Sequence, residues 1–196
     1  EGHTAEVWWF EYHDGKIYSA SCDGIIKIWN RSDGSLINTL KGHEGIISSL
    51  TINDGKLHST GKFDGTIKVW NCSTDALITT LEGFSGYGDP ICFDDGKLYA
   101  GGQADDGKYV IYVWNCSDYS HIATLRHDDE NEKENEGHQS FVTELIVHGG
   151  KLYSGGHDTT INVWDCSTNQ LIKTLRGHGS CITCQIATTD GMLYSG

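Results

Sequence analysis

The chain has 196 residues, with 14 Lys and Arg against 27 Asp and Glu, for a formal net charge of −13 at neutral pH. That charge disfavours nucleic acid as a partner, because a phosphate backbone is held by clustered Lys and Arg. The 25 glycines and single proline, Pro90, suit tight turns between short strands, and no apolar run nears the roughly 18 residues of a membrane helix, so no membrane contact is expected.

In chain order, Gly2-His3 is followed by Gly42-His43, a degenerate Gly83-Phe84, Gly137-His138 and Gly177-His178, with steps of 40, 41, 54 and 40 residues. Trp29, Trp70, Trp114 and Trp164 follow the first four. A fixed period of this length means one small unit copied end to end, giving repeats 2–41, 42–82, 83–136, 137–176 and a truncated 177–196.

Each unit reads as four strands. In the first, Ile26, Lys27 and Ile28 alternate, which puts aliphatic side chains on one face. The second supplies the fullest pattern: strands over 46–52, 56–60, 66–71 and 76–82, with turns at Asp54-Gly55, Asp64-Gly65 and Ser73-Thr74-Asp75. The third departs from it. Phe84 stands for histidine, Ala100 for serine, the second turn is widened over 103–108, and the link 127–136 carries Asp128, Asp129, Glu130, Glu132, Glu134 and Glu136 against Lys133. The fourth keeps the full set and ends its third strand in Trp164-Asp165. Cys72, Cys116 and Cys166 each lie two residues after a repeat tryptophan, so they are one position copied rather than a bridging set. With an odd total of 7 cysteines, that pattern predicts a reducing compartment, the cytoplasm or the nucleus.

Gly-His, Asp-Gly and Trp recurring in register, with Trp-Asp kept at Trp164-Asp165, resemble the WD-repeat proteins over essentially the whole chain. The resemblance implies an all-β β-propeller with four complete four-stranded blades and a half blade, a fragment of a larger ring of about seven. It also implies a buried chain of hydrogen bonds in each blade, aspartate to histidine to hydroxyl to indole. The members would be His3, Ser19, Asp23 and Trp29; His43, Asp64 and Trp70 with either Ser59 or Thr60; Trp114 in the degenerate third unit; His138, Ser154, Asp158 and Trp164; and His178 with Ser195.

The same His, Ser and Asp residues invite a hydrolase reading. An enzyme needs one such set in a cleft, whereas here it returns in every well-formed unit, so no catalysis is expected. His178, Cys181 and Cys184 lack a fourth ligand, and residues three apart on a strand point to opposite faces. No metal, cofactor or small-molecule substrate is expected.

In a four-strand meander the second turn and the link to the next unit share one edge, and both insertions fall there. Three residues after each Gly-His histidine, or Phe84, come Glu6, Ile46, Tyr87, Phe141 and Cys181; just before the turn aspartates come Cys22, Phe63 and His157. Ile46, Phe63, Tyr87, Phe141 and His157 are the predicted partner-binding residues, an apolar and aromatic set of the kind that carries protein binding. The expected function is a non-catalytic scaffold for a peptide or domain. The alternative is the targeting module of a multidomain enzyme such as a ubiquitin ligase or kinase, since the hairpins Asp14-Gly15-Lys16, Asp54-Gly55-Lys56 and Asp95-Gly96-Lys97 are similar to those of propellers joined to F-box, ring-finger and alpha-kinase proteins. Cys22, Phe63 and His157 at the pre-aspartate positions, with Arg31, Arg126 and Arg176 the only arginines, argue against a phosphopeptide reader.

Overall fold

A computed structural model describes residues 2–82, 90–126, 137–183, 185–187 and 192–196. Gly83, Phe84, Tyr87, the acidic stretch 127–136 and Cys184 lie outside the described residues. Regular structure among the described residues is entirely β-strand.

The first unit, Glu1–Gly88, holds two sheets. One comprises β1 (Val7–His13), β2 (Lys16–Ser21), β3 (Ile25–Asn30) and β4 (Leu36–Lys41); the other comprises β5 (Ile47–Asn53), β6 (Lys56–Gly61), β7 (Ile67–Asn71) and β8 (Leu77–Leu81). The second unit, Asp89–Gly196, holds β9 (Ile91–Asp94), β10 (Lys97–Gln103), β11 (Tyr109–Asn115) and β12 (His121–Leu125), then β13 (Val142–His148), β14 (Lys151–Gly156), β15 (Ile161–Asp165) and β16 (Leu171–Leu175). The pair β17 (Gln185–Ala187) and β18 (Leu193–Ser195) completes it. Every sheet is an antiparallel meander of chain neighbours. In the second repeat each observed strand end lies within one residue of its predicted place.

Turn chemistry sets these strands. The first hairpins place two successive residues at positive φ, Asp14 and Gly15 (44° and 74°), Asp54 and Gly55 (47° and 66°) and Asp95 and Gly96 (43° and 72°), the twist-matched two-residue turn that Asp-Gly favours. At the third turn the residue after each tryptophan accepts a backbone N–H from two residues on: Ser32 to Asn30 and Ser73 to Asn71 at 2.9 Å, Ser117 to Asn115 and Ser167 to Asp165 at 2.8 Å. Such a local turn needs a short side-chain carbonyl or carboxylate, which explains why Trp-Asn stands in for Trp-Asp. The Ser167 hydroxyl and the N–H groups of Thr168 and Ser167 lower the Asp165 carboxyl to about 2.

Within the first unit, Tyr18, Ala20, Ile26, Ile28 and Leu40 of one sheet pack against Ile47, Leu50, Leu57 and Trp70 of the next. The second unit repeats the arrangement with Tyr99, Ile111, Val113 and Leu125 against Val142, Leu145, Leu152 and Trp164. A polar clasp crosses each seam. Lys16 Nζ donates to the Cys72 carbonyl at 2.8 Å and to Asp75 at 3.0 Å, and Lys97 Nζ donates to the Cys166 carbonyl. Cys72 and Cys166 are buried beside their clasped carbonyls, and burial pushes both thiols up. Val7 and Phe10 hold in the first sheet the register positions of Ile47 and Leu50, yet they are 49% and 75% exposed where the latter are 0% and 2%.

Candidate functional site

Three sheets carry the same buried chain of polar groups. In the first sheet Trp29 Nε1 donates to Ser19 Oγ at 2.8 Å, Ser19 Oγ lies 2.7 Å from His3 Nε2, and His3 Nδ1 lies 3.2 Å from Asp23 Oδ2. In the second the distances are 3.0 Å (Trp70 to Ser59), 2.8 Å (Ser59 to His43) and 2.7 Å (His43 to Asp64). In the fourth they are 2.9 Å (Trp164 to Ser154), 2.8 Å (Ser154 to His138) and 2.9 Å (His138 to Asp158). A neutral imidazole satisfies every member: it accepts from the serine hydroxyl at Nε2 and donates from Nδ1 to the carboxylate.

The second-repeat alternative is thereby settled. Ser59 bonds His43, while Thr60 lies beside Ser48 at 3.2 Å and stands outside the chain of bonds. In the third sheet Ala100 brings no hydroxyl, and Trp114 packs near Tyr112 and His121, with ring centres 5.5 and 6.4 Å away. At the last pair, His178 Nε2 lies 2.6 Å from Ser195 Oγ in an exposed setting.

Each aspartate also anchors its own turn. Asp64 accepts the N–H groups of Glu44 and Thr66, both at 3.0 Å, and Asp158 those of Gln139 at 2.7 Å and Thr160 at 3.0 Å. Burial alone raises these carboxyls, but the facing imidazole and the surrounding donors outweigh it and leave both below the usual carboxylate range. Burial lowers the His43 imidazole despite Asp64. Close approach dictates glycine at the strand end here: a Cβ on Gly61 would come within 2.0 Å of Asp64 Oδ1, and one on Gly156 within 2.6 Å of His138 Nδ1. The first sheet has Ser21 at that register position, and its histidine–aspartate contact is the longest of the three.

Serine, histidine and aspartate are therefore placed as in a hydrolase, but the serine cannot meet a substrate. Ser59 and Ser154 are 0% exposed, and each oxygen already receives an indole N–H. Buried polar groups of this kind are stabilising when all are paired, and here they fix the link and second turn of each sheet.

The exposed chemistry lies on those turns. In the first unit Cys22 N–H donates to the Glu6 carbonyl at 2.9 Å and Lys62 N–H to the Ile46 carbonyl at 2.8 Å; in the second His157 N–H donates to the Phe141 carbonyl at 2.9 Å. The residue equivalent to Cys22 and His157 is thus Lys62, and the extra residue of the second repeat is Phe63, pushed outward to 64% exposure. Lys62 Nζ lies 6.0 Å from the Phe63 ring centre and 5.6 Å from that of Trp8. Trp8 is 47% exposed, and its indole N–H donates to Glu6 Oε2 at 3.3 Å. Ile46 and Phe141 are half-buried rather than open, and His157 is exposed. Phe141 meets Tyr109 edge-on at 5.0 Å and His157 at 6.2 Å. Sequence reasoning missed Trp8 and Lys62. The available signal was Trp8 standing where the second and fourth repeats have Ser48 and Thr143.

Four-stranded meanders stacked face to face, each pinned by an Asp–His–Ser–Trp chain where it is intact, define the blades of a β-propeller repeat protein. The model of the WD domain, G-beta repeat, matches residues 1–30, 34–71 and 130–165, and the chain belongs to the WD40 family. Most of the degenerate third repeat falls between the matched stretches. Nuclear distribution protein PAC1 of Fusarium vanettenii is 29% identical over 185 residues, which is 93% of this chain and 32% of that protein. Zinc finger CCCH domain-containing protein 59 of Arabidopsis thaliana is 36% identical over 186 residues, 91% of this chain and 36% of that protein. WD repeat-containing protein pop1 of Schizosaccharomyces pombe is 28% identical over 178 residues, 91% and 22% respectively. The chain thus spans about a third or less of these relatives' length. Among solved structures, one computationally designed protein superposes with a TM-score of 0.80 at 30% identity, over 100% of this chain and 59% of its own; another gives 0.68 at 29% identity, over 84% and 94%. Proteins of this family generally bind protein partners and are typically non-catalytic.

Proposed function

We propose that this chain is a non-catalytic scaffold that holds a peptide or protein domain on the edge formed by its second turns and inter-sheet links. One observation carries the reading. The serine–histidine–aspartate sets of the first, second and fourth sheets are sealed inside them, whereas Trp8 and Phe63 are exposed on either side of the half-buried Lys62, and exposed aromatic residues with an adjacent cation are the usual anchors of protein interfaces. One cysteine position copied into successive repeats, Cys72, Cys116 and Cys166, fits a reducing compartment, the cytoplasm.

The test is affinity capture with wild type, Trp8→Ala and Phe63→Ala, using Ile78→Ser on an outer strand as the control. Partner recovery falls about tenfold or more in the first two, as expected for loss of a hot spot worth at least 1.4 kcal/mol, and is kept in the control. Equal recovery from all four proteins would refute the reading.

A further inference from the structure

Within each unit the seam joins two unlike sheet faces. One face carries a buried tyrosine, and Tyr18 and Ile28 of that face meet Leu50 and Trp70 of the other kind. The second unit repeats the pairing, with Tyr99 and Val113 against Leu145 and Trp164. Each kind of face also stands exposed on this chain. We propose that these two exposed faces dock on one another between molecules, so that a second copy of this chain covers the open face of the first sheet.

That open face is of the second kind. Val7, Phe10 and Tyr12 pair with Ser21, Ser19 and Ile17, as Ile47, Leu50 and Ile52 pair with Gly61, Ser59 and Leu57, so the two stripes are equivalent. Ile47 and Leu50 are buried in the seam and Ile52 packs against the same cluster, whereas Val7, Phe10 and Tyr12 are exposed. Ile17 and Trp29 widen the face, half-buried where Leu57 and Trp70 are buried. All five residues are apolar or aromatic. A repeat face that ends a stack in water is polar instead, and a contiguous apolar face marks a contact. The Arg31 guanidinium lies 4.8 Å from the Tyr12 ring centre and donates to its hydroxyl at 3.2 Å. It covers the hairpin end of the stripe and leaves Val7 and Phe10 open.

The exposed face of the first kind belongs to β18. Tyr194 precedes Ser195, which lies 2.6 Å from His178 Nε2, just as Tyr18 precedes Ser19, which lies 2.7 Å from His3 Nε2. Tyr194 therefore holds the seam position of Tyr18, yet it is 54% exposed where Tyr18 is 1%. Tyr18 shows what the position does: its ring is buried in the seam, and its hydroxyl donates to the Cys72 carbonyl of the next sheet at 3.3 Å. Across the proposed joint the equivalent carbonyl is that of Arg31. Arg31 follows Trp29 by two residues, as Cys72 follows Trp70, and the N–H groups of Arg31 and Cys72 donate to the Gly15 and Gly55 carbonyls, both at 3.0 Å. The contact is heterologous, because one face of each molecule meets a different face of the next.

The test is sedimentation of the whole chain over a wide range of concentration. Wild type associates as concentration rises. Phe10→Asp and Tyr194→Asp each raise the concentration required about tenfold or more, because an unpaired carboxylate is costly to bury in either face, and Ile78→Ser on the outer strand β8 leaves it unchanged. Phe10 and Tyr194 are exposed in the single molecule, so both variants keep the wild-type urea midpoint in dilute solution. A mixture of the Phe10→Asp and Tyr194→Asp proteins recovers association, since each retains the face that the other has lost. A wild-type chain that stays single throughout, association that survives either aspartate, or a mixture no more associated than its components would overturn the proposal. These variants leave Trp8 and Phe63 intact, so partner capture through those residues is judged separately.

Discussion

Replacing Ser59 with alanine removes one oxygen that makes two short bonds and a longer one to the Lys68 carbonyl at 3.4 Å. The indole N–H of Trp70, in a residue 5% exposed, loses its acceptor at 3.0 Å, and His43 Nε2, on a side chain 1% exposed, loses its donor at 2.8 Å. A buried polar group left without a partner costs about 1 to 3 kcal/mol, so the two orphans together cost about 2 to 6 kcal/mol, a large share of a stability of roughly 5 to 15 kcal/mol. Thr60 is the matched control. It is the next residue along the strand and is also buried, but its hydroxyl meets Ser48 at 3.2 Å and not the imidazole, so Thr60→Ala costs about 1 kcal/mol. Ser59→Thr, which keeps the hydroxyl, recovers most of the loss. Urea unfolding of the four proteins, followed by tryptophan fluorescence and analysed with a common slope, measures the differences. The Trp70 indole proton, observed by hydrogen exchange, reports the local effect. A Thr60→Ala protein as destabilised as Ser59→Ala would show that the hydroxyl chain is not what holds this sheet.

Two further outcomes follow from the same accounting. Burial lowers the His58 imidazole from 6.5 to about 4; the folded state keeps the ring neutral while the unfolded chain takes up a proton, so stability is full above pH 6.5 and falls as pH drops toward 4, by about 3 kcal/mol. The other repeats have Tyr18, Tyr99 and Tyr153 at this position, so His58→Tyr flattens the decline between pH 7.5 and pH 4.5, and parallel stability curves for the two proteins would rule the mechanism out. In the third sheet, Ala100 offers no hydroxyl to the repeat tryptophan, so the serine-centred chain of the other three sheets is not built there; amides of β10 and β11 exchange faster than those of β6, β7, β14 and β15, and equal protection would contradict this.

The sequence by itself determined the repeat, the strands and the turns, because each rests on local rules. Asp-Gly pairs at the first hairpins, such as Asp14-Gly15 and Asp54-Gly55, adopt positive φ as a local preference, alternation such as Ile26-Lys27-Ile28 sorts a strand into two faces, and a polar set copied at a fixed period reads as structure and not as an active site. Tertiary structure decided what depends on where one extra residue is accommodated and on which side chains meet across sequence gaps. Counting residues from His43 or from Asp64 gave Ser59 or Thr60 with equal right; the extra residue is taken up at Phe63, after the strand, and this leaves Ser59 in register and puts Lys62 where Phe63 was expected. Trp8 reaches Lys62 across 54 positions, and Arg126 reaches Asp106 across 20. Such meetings are set by sheet stacking and by the path of an inserted turn, which no local rule encodes.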